Sequence, residues 1–227
     1  MKGYKNFKMQ VVYQMKIRYL GQSCFYIQTA DGVRIVTDPY HSDIGLKMPR
    51  VPADILTMSH DHFDHNNVDK VSGDFYRVSE PGDYENSGIR LRGIAAFHDD
   101  EGGHKRGRNV IFRIEAEGLT LCHLGDLGHV PDESQLKLIG KIDILFIPVG
   151  EVFTFEVEDA LKTVNAIKPA VVIPMHYKTK KLTIGLETEK KFLKIAGGGR
   201  RLDSSEFDVT PQTLSQYSGI LVMDSEV

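Results

Sequence analysis

Four side chains able to hold a metal ion, His60, His62, Asp64 and His65, fall within the six-residue run His60-Asp61-His62-Phe63-Asp64-His65. Each imidazole or carboxylate offers a lone pair to a divalent ion at about 2.0–2.2 Å, and mixed nitrogen and oxygen ligation suits zinc, manganese or iron. In an extended segment the i, i+2 spacing points His60 and His62 to the same side, toward one ion. Asp64 and His65 lie on the turn that follows, where they can face a neighbouring ion. A single isolated histidine reads better as a solvated surface residue. Four such groups together, with more His and Asp at later strand ends, read as a metal site.

Such a cluster must be delivered by a rigid element. Ala53-Asp54-Ile55-Leu56-Thr57-Met58-Ser59 is a short apolar run leading directly into it, which places the histidines at a strand's C-terminal edge. Upstream, residues 17–38 alternate around the Asp31-Gly32 turn signal, forming a hairpin that ends at Val36-Thr37-Asp38-Pro39. A second passage has the same order. Asn109–Ile114 leads through Gly118 to Leu119–Asp126, and the buried run Ile142–Ile147 follows. Asp38 precedes Asp54-Ile55-Leu56 by nearly the interval at which Asp126 precedes Asp143-Ile144-Leu145, which points to an internally duplicated fold.

Helices are expected between these strands. Residues 131–139 open with Pro131-Asp132 and stop at Gly140, residues 158–167 stop before Pro169, and residues 187–196 end in three glycines. Residues 218–224 read as a closing strand. Hairpins mixed with helices imply an α+β layered structure with sheets inside and helices outside.

The bulk numbers narrow the function. The chain has 227 residues, enough for one sizeable core, and we expect one domain over residues 15–227 preceded by a short extension, residues 1–14. With 28 Lys and Arg against 31 Asp and Glu, a basic clamp for nucleic acid is disfavoured, while a small anionic substrate stays open. Cys24 and Cys122 are too few for a disulfide framework, and no window approaches the roughly 18 apolar residues of a membrane span. A cytoplasmic protein without a membrane partner is expected. No Gly-x-x-x-x-Gly-Lys loop is present, and the glycines at 197–199 read as a helix stop.

The stretch Thr57-Met58-Ser59-His60-Asp61-His62-Phe63-Asp64-His65 resembles the His-x-His-x-Asp-His signature of the metallo-β-lactamase superfamily. Asp38 stands where that superfamily has its first-motif Asp. His98 in Ala96-Phe97-His98, Asp126 in Leu124-Gly125-Asp126 and His176 in Pro174-Met175-His176 resemble its later ligands. The resemblance covers most of the chain. It is nearest to the short hydrolases similar to ascorbate-6-phosphate lactonase, on His98-Asp99-Asp100-Glu101-Gly102-Gly103 and Val172-Ile173-Pro174-Met175-His176-Tyr177. It implies a four-layer αββα sandwich with two internally similar halves. His60, His62 and His98 would then hold one ion, Asp64, His65 and His176 a second, and Asp126 would bridge both. Zinc is the leading metal, with manganese and iron as alternatives. The nucleophile implied is a metal-bound hydroxide that cleaves a small ester, lactone or phosphoester, with Asp64 and Asp126 as catalytic residues. Tyr177, next to His176, is a third catalytic candidate, placed either to polarise a substrate oxygen or, equally, to bury its ring and bond to backbone.

Other residues carry weaker expectations. Asp38 fits a role behind the ligands, holding the far nitrogen of a ligating imidazole, with a turn Asp before Pro39 as the alternative. His123 is either a second such residue or a satisfied core histidine. His129, Lys105 and Arg106 are candidates for binding substrate, although Lys105 and Arg106, with His104 and Arg108, fit a solvated charged loop as well. Glu151, Thr154 and Tyr177 follow strand ends and are candidates for the pocket wall. Two competing functions remain: a phosphodiesterase or nuclease using the same ligands, and a non-hydrolytic redox or sensory di-metal module. A homo-oligomer is compatible with the apolar C-terminal strand.

Overall fold

A computed structural model describes residues 14–227. The extension expected over residues 1–14 lies outside the described residues except for Gln14.

The first strand shows how pattern becomes architecture. Along Met15–Gly21 the side chains of Met15, Ile17 and Tyr19 point inward and are buried. Lys16 and Arg18 face outward and pair with Glu206 and Glu226. This period-2 alternation places one face of the strand against a core. Met15–Gly21 runs antiparallel to Glu206–Val209 on one side and to Cys24–Gln28 on the other. Arg34–Thr37, Ile55–Thr57 and Tyr76–Val78 complete a six-stranded sheet. The second sheet has eight strands in the order Arg200–Arg201, Gly219–Val222, Val171–Met175, Ile144–Pro148, Leu119–His123, Arg108–Ala116, Ile89–Phe97 and Gly82–Asn86.

The two sheets face each other across one apolar layer. Ile17, Phe25, Ile27 and Ile35 from the first meet Phe112, Ile114, Leu121 and Phe146 from the second, all but excluded from water. Phe25 and Phe146 touch with ring centroids 4.2 Å apart. The outer face of the second sheet is covered by helices Glu133–Ile139, Val157–Ile167 and Glu189–Ile195, which bury Ile139, Ala160 and Phe192 against Ile94, Ile111 and Leu145. These are the three helices expected, with ends shifted by one or two residues. Asp132 and Gln135 form a reciprocal capping box at the first helix, and Gly140 ends it with φ 63°.

The opposite outer face differs in detail. Leu20, Val36 and Leu56 are covered by Tyr40, Ile44, Leu46, Leu182 and Leu186, which lie on loops and a short 3-10 turn, Ser42–Ile44. Pro39, Pro49 and Pro52 punctuate that stretch, and each removes a backbone donor a helix would need. The architecture is an α+β sandwich of two stacked sheets, helix-covered on the face of the second. The strands over residues 76–97 were not read from the sequence.

The duplication is visible in hydrogen bonds as well as in order. Arg34–Thr37 pairs antiparallel with the strand before it and parallel with Ile55–Thr57. Leu119–His123 does the same with Arg108–Ala116 and Ile144–Pro148. The Asp54 amide donates to the Arg34 carbonyl, and its carboxylate accepts from the Arg34 amide. Asp143 makes the same pair of bonds with Thr120. Each half therefore pins its parallel crossover with an Asp at the strand entrance, and each sends its functional residues out at the opposite, C-terminal ends.

Phe112 is completely buried in the inter-sheet layer, whereas Leu138 is 43% exposed on its helix. Phe112→Ala should destabilise by about 3–5 kcal/mol. Leu138→Ala should stay within about 0.5 kcal/mol of the parent, both read from urea unfolding. Equal losses would contradict this account of where the core lies.

Candidate metal centre

Five strand ends converge on one edge of the sandwich. Arg34–Thr37 delivers Asp38, Ile55–Thr57 delivers the histidine run, Ile89–Phe97 delivers His98, Leu119–His123 leads to Asp126, and Val171–Met175 delivers His176. Asp38 and His176 adopt the left-handed backbone region, with φ 38° and 51°, so the chain turns sharply where each side chain enters the cluster. Such strain at non-glycine residues persists where surrounding structure holds it.

The side chains form two adjoining groups, His60, His62 and His98, and Asp64, His65, Asp126 and His176. Within each, the atoms able to bind a metal all lie within 4.8 Å of one another. Asp126 reaches both. Its Oδ2 is 3.1 Å from His176 Nε2, 3.2 Å from His65 Nε2, 3.4 Å from His98 Nε2 and 4.0 Å from His60 Nε2. Every member is largely buried except His62, which opens to solvent.

Hydrogen bonds behind the cluster decide which nitrogens are free. The buried Asp38 carboxylate accepts from the Ser59 amide and hydroxyl, at 2.7 and 2.6 Å, and from His65 Nδ1 at 2.9 Å. Since Nδ1 of His65 donates to Asp38, its Nε2 is the nitrogen that faces the cluster and offers a lone pair once its proton is displaced. The Ser59 hydroxyl, having given its proton to Asp38, accepts from His60 Nδ1 at 2.9 Å, which leaves a lone pair on His60 Nε2 also. Asp38 thus fixes two imidazoles, one directly and one through Ser59. His60 Nε2, His65 Nε2 and Asp126 Oδ1 are buried with no hydrogen-bond partner. Such atoms are costly to bury unless something else satisfies them, and converging lone pairs fit a cation.

Charge supports the same fit. Burial opposes ionisation of Asp64 and Asp126, yet His65 and His176 hold both carboxyls below the usual range. Burial likewise opposes a charge on His65 and His176, but the carboxylates outweigh it and raise both, His176 to about 9. At His60 burial prevails, with His65 adding to it, and the imidazole is pushed down to about 2. His98 is lowered by burial too. His60 and His98 are therefore neutral and ready to ligate, and the second group holds protons where a divalent ion would compensate the carboxylates better.

Several supporting residues escaped the sequence. Gln22, in a turn between two strands with φ 54°, is buried and donates from Nε2 to Asp64 Oδ2 at 2.8 Å. Its carbonyl accepts from the Tyr19 hydroxyl and from the His176 amide. Asn109 accepts the Asp126 amide at 3.0 Å and donates to the Leu124 carbonyl. Asp99, behind His98, accepts from the amides of Glu101, Gly103, Lys105 and Arg106, and so folds that glycine-rich loop around its carboxylate. A lone Gln, Asn or Asp in a turn carries no periodic signal. For Gln22 the only sign was a polar residue between two strongly apolar strands.

The structure does not bring every expected residue to the site. Neighbours at a strand end face opposite ways, so Tyr177 turns away from the cluster. It packs with Ile147 and Phe192, donates its hydroxyl to the Met223 carbonyl at 3.4 Å, and is pushed up in pKa by burial. That placement removes the basis for a catalytic role. His129 has both ring nitrogens engaged with backbone, accepting from Phe97 and donating to Val130. Lys105 points outward and pairs with Glu101 at 2.6 Å, whereas Arg106 lines the cavity over the cluster. His123 donates to the Ser23 carbonyl and accepts from the Gly125 amide, tying the Gln22 turn of one sheet to the Asp126 loop of the other. Glu151 accepts from Lys191 and from the Val157 amide at the start of the following helix, and Thr154 bonds to the Glu151 carbonyl; neither lines the cavity.

The model of the beta-lactamase superfamily domain matches residues 16–176. The chain belongs to this superfamily. A UPF0173 metal-dependent hydrolase of Staphylococcus aureus (strain JH9) is 28% identical, over 73% of this chain and 86% of the relative. A crystal structure from Thermotoga maritima, of a proposed Zn-dependent hydrolase of the metallo-beta-lactamase superfamily, is 35% identical. It aligns with a TM-score of 0.78 over 93% of this chain and all of that one. Igni18, a metallo hydrolase of Ignicoccus hospitalis, shares the fold at 20% identity, TM-score 0.62, covering 86% of this chain and 97% of that one. The superfamily member described here is a metal-dependent hydrolase. No helix among its described residues is long and apolar enough to cross a membrane.

In the metal-free protein the proton on His176 stabilises the fold, because its pKa lies above the ordinary 6.5. That contribution is complete below about pH 6.5 and is lost as the pH rises through about 9. Tm of chelator-treated protein should therefore fall across this window, while that of metal-loaded protein stays nearly flat. A metal-free Tm that holds constant or climbs would contradict the arrangement.

Proposed function

We propose that the chain uses two divalent ions, zinc before manganese or iron, to hydrolyse a small ester, lactone or phosphoester. The observation that carries this reading is the position of Asp126, whose Oδ2 stands between His98 and His60 of one group and His65 and His176 of the other. His60, His62 and His98 would hold one ion, Asp64, His65 and His176 the second, and Asp126 both. When bound, such a pair supplies Lewis acidity and a water of lowered pKa.

The protein's own part is orientation. Asp38 and Ser59 lock the tautomers of His65 and His60, so the lone pairs point inward without rearrangement. Gln22 holds Asp64 Oδ2 from behind and limits how that carboxylate can rotate. Over the cluster lies a cavity of about 400 Å³ with Phe63, Phe153 and Ile184 in its wall, an apolar side against which a substrate can pack. Arg106 is the cation at its mouth, and we assign it, in place of Lys105, to attracting a negatively charged substrate. The partner on this reading is a small molecule and not a polymer.

Elemental analysis combined with turnover assays on lactones, simple esters and bis(p-nitrophenyl) phosphate tests the proposal. The parent should carry about two ions per chain and turn over one substrate class. His62→Ala and Asp126→Ala should each lose metal and turnover together while keeping the far-ultraviolet circular dichroism of the parent. Full activity in both variants would end the assignment of hydrolysis to this cluster.

A further inference from the structure

Two recesses of different character meet at the ligand cluster. The first, the cavity of about 400 Å³, is apolar on its outer side. Phe63 and Phe153 stand there 51% and 39% exposed, beside Ile184. Large apolar side chains kept in water beside buried charge mark a binding surface better than a structural one. The second is a groove of about 800 Å³ that leaves His60 and His62 and passes Arg77, Arg106 and Arg108. His62 and Arg106 line both, so the recesses adjoin at the cluster.

The groove is cationic on balance. Its three guanidiniums face two carboxylates, Asp61 and Glu80, and Asp61 already accepts a hydrogen bond from Asn66. Arg77 and Arg108 are exposed and make no ion pair among the described residues. Arg106 is held at the junction. Its guanidinium donates to the Val152 carbonyl at 2.9 Å and lies 5.8 Å from the Phe153 ring, and its amide is one of those fixed by Asp99. A preset guanidinium loses little freedom on meeting an anion, and its planar fork matches carboxylate and phosphate alike.

We infer that the substrate is an amphipathic small molecule, with an apolar group against Phe63, Phe153 and Ile184 and an anionic carboxylate or phosphate on Arg106, Arg108 and Arg77. Its cleavable bond lies between the two, over the ligand cluster. This rests on the hydrolase reading above. A neutral apolar ester would leave the arginines without a counterpart, and a compact polyanion would leave the phenylalanines in water. A nucleic acid would need a longer cationic track than three arginines opposed by two carboxylates.

Calorimetric titration of the metal-loaded protein with hexanoate, monohexyl phosphate, acetate, inorganic phosphate and hexanol tests the inference. At least one hexyl anion should bind about tenfold more tightly than both its headgroup alone and hexanol, and the tighter of the two identifies the anion. Arg77→Gln combined with Arg108→Gln should weaken that anion about tenfold while leaving hexanol unchanged. Phe153→Ala should weaken the hexyl anion and spare acetate and inorganic phosphate. Hexyl anions binding no better than their headgroups, or a double variant binding them as the parent does, would overturn the inference. The hydrolase reading fails separately: tight, arginine-dependent binding without turnover of any ester, lactone or phosphoester supports the amphipathic site and removes hydrolysis. Turnover of short neutral esters without preference for amphipathic anions would do the reverse.

Discussion

Three carboxylates, Asp38, Asp64 and Asp126, are buried within one histidine cluster, and the rest of the site follows from the need to compensate them. Removing a carboxylate from water costs several kcal/mol even after relaxation, unless charge and hydrogen bonds replace the lost hydration. Asp38 receives three hydrogen bonds from Ser59 and His65 and is satisfied by protein alone. Asp64 has Gln22 and nearby imidazoles. Asp126 has histidines on every side of Oδ2 and nothing on Oδ1. The gradient from a fully satisfied carboxylate to one with an orphan oxygen runs from the support of the cluster to its centre, as expected where a cation is to be held and not merely tolerated.

The duplicated fold explains how residues far apart in sequence reach this point. In each half a hairpin hands the chain to a parallel crossover, pinned at its entrance by Asp54 or Asp143, so that both halves present strand ends on the same edge. One half supplies Asp38 and the histidine run, and the other supplies Asp126 and His176. His123 bonds the two together through Ser23 and Gly125. The inter-sheet layer around Phe25, Phe112 and Phe146 is consequently a positioning device as well as a core. A shift between the sheets would separate His65 from Asp126 before it exposed much apolar surface.

What could be read from the chain was what is local. The run His60–His65 declares itself because four ligating groups lie within one turn of backbone, and the three helices declare themselves through Pro, Gly and capping residues. His98, Asp126 and His176 were reached only by resemblance, since each stands alone at its own strand end. Gln22, Ser59 and Asn109 act through contacts with residues distant in sequence, Asp64, Asp38 and Asp126, which no period or spacing encodes. Adjacency in sequence also misleads at a strand end or in a tight loop. Tyr177 follows a ligand and Lys105 precedes a cavity residue, yet the pleat and the Asp99-centred loop turn each of them elsewhere.

The proposed hydrolysis requires that one cluster hold two ions sharing Asp126. Anomalous diffraction from zinc-grown crystals, recorded on both sides of the zinc absorption edge, measures this directly. Two peaks are expected about 3.5–4 Å apart, one among His60, His62 and His98, the other among Asp64, His65 and His176, with Asp126 between them. A single peak, or peaks outside this cluster, would contradict it.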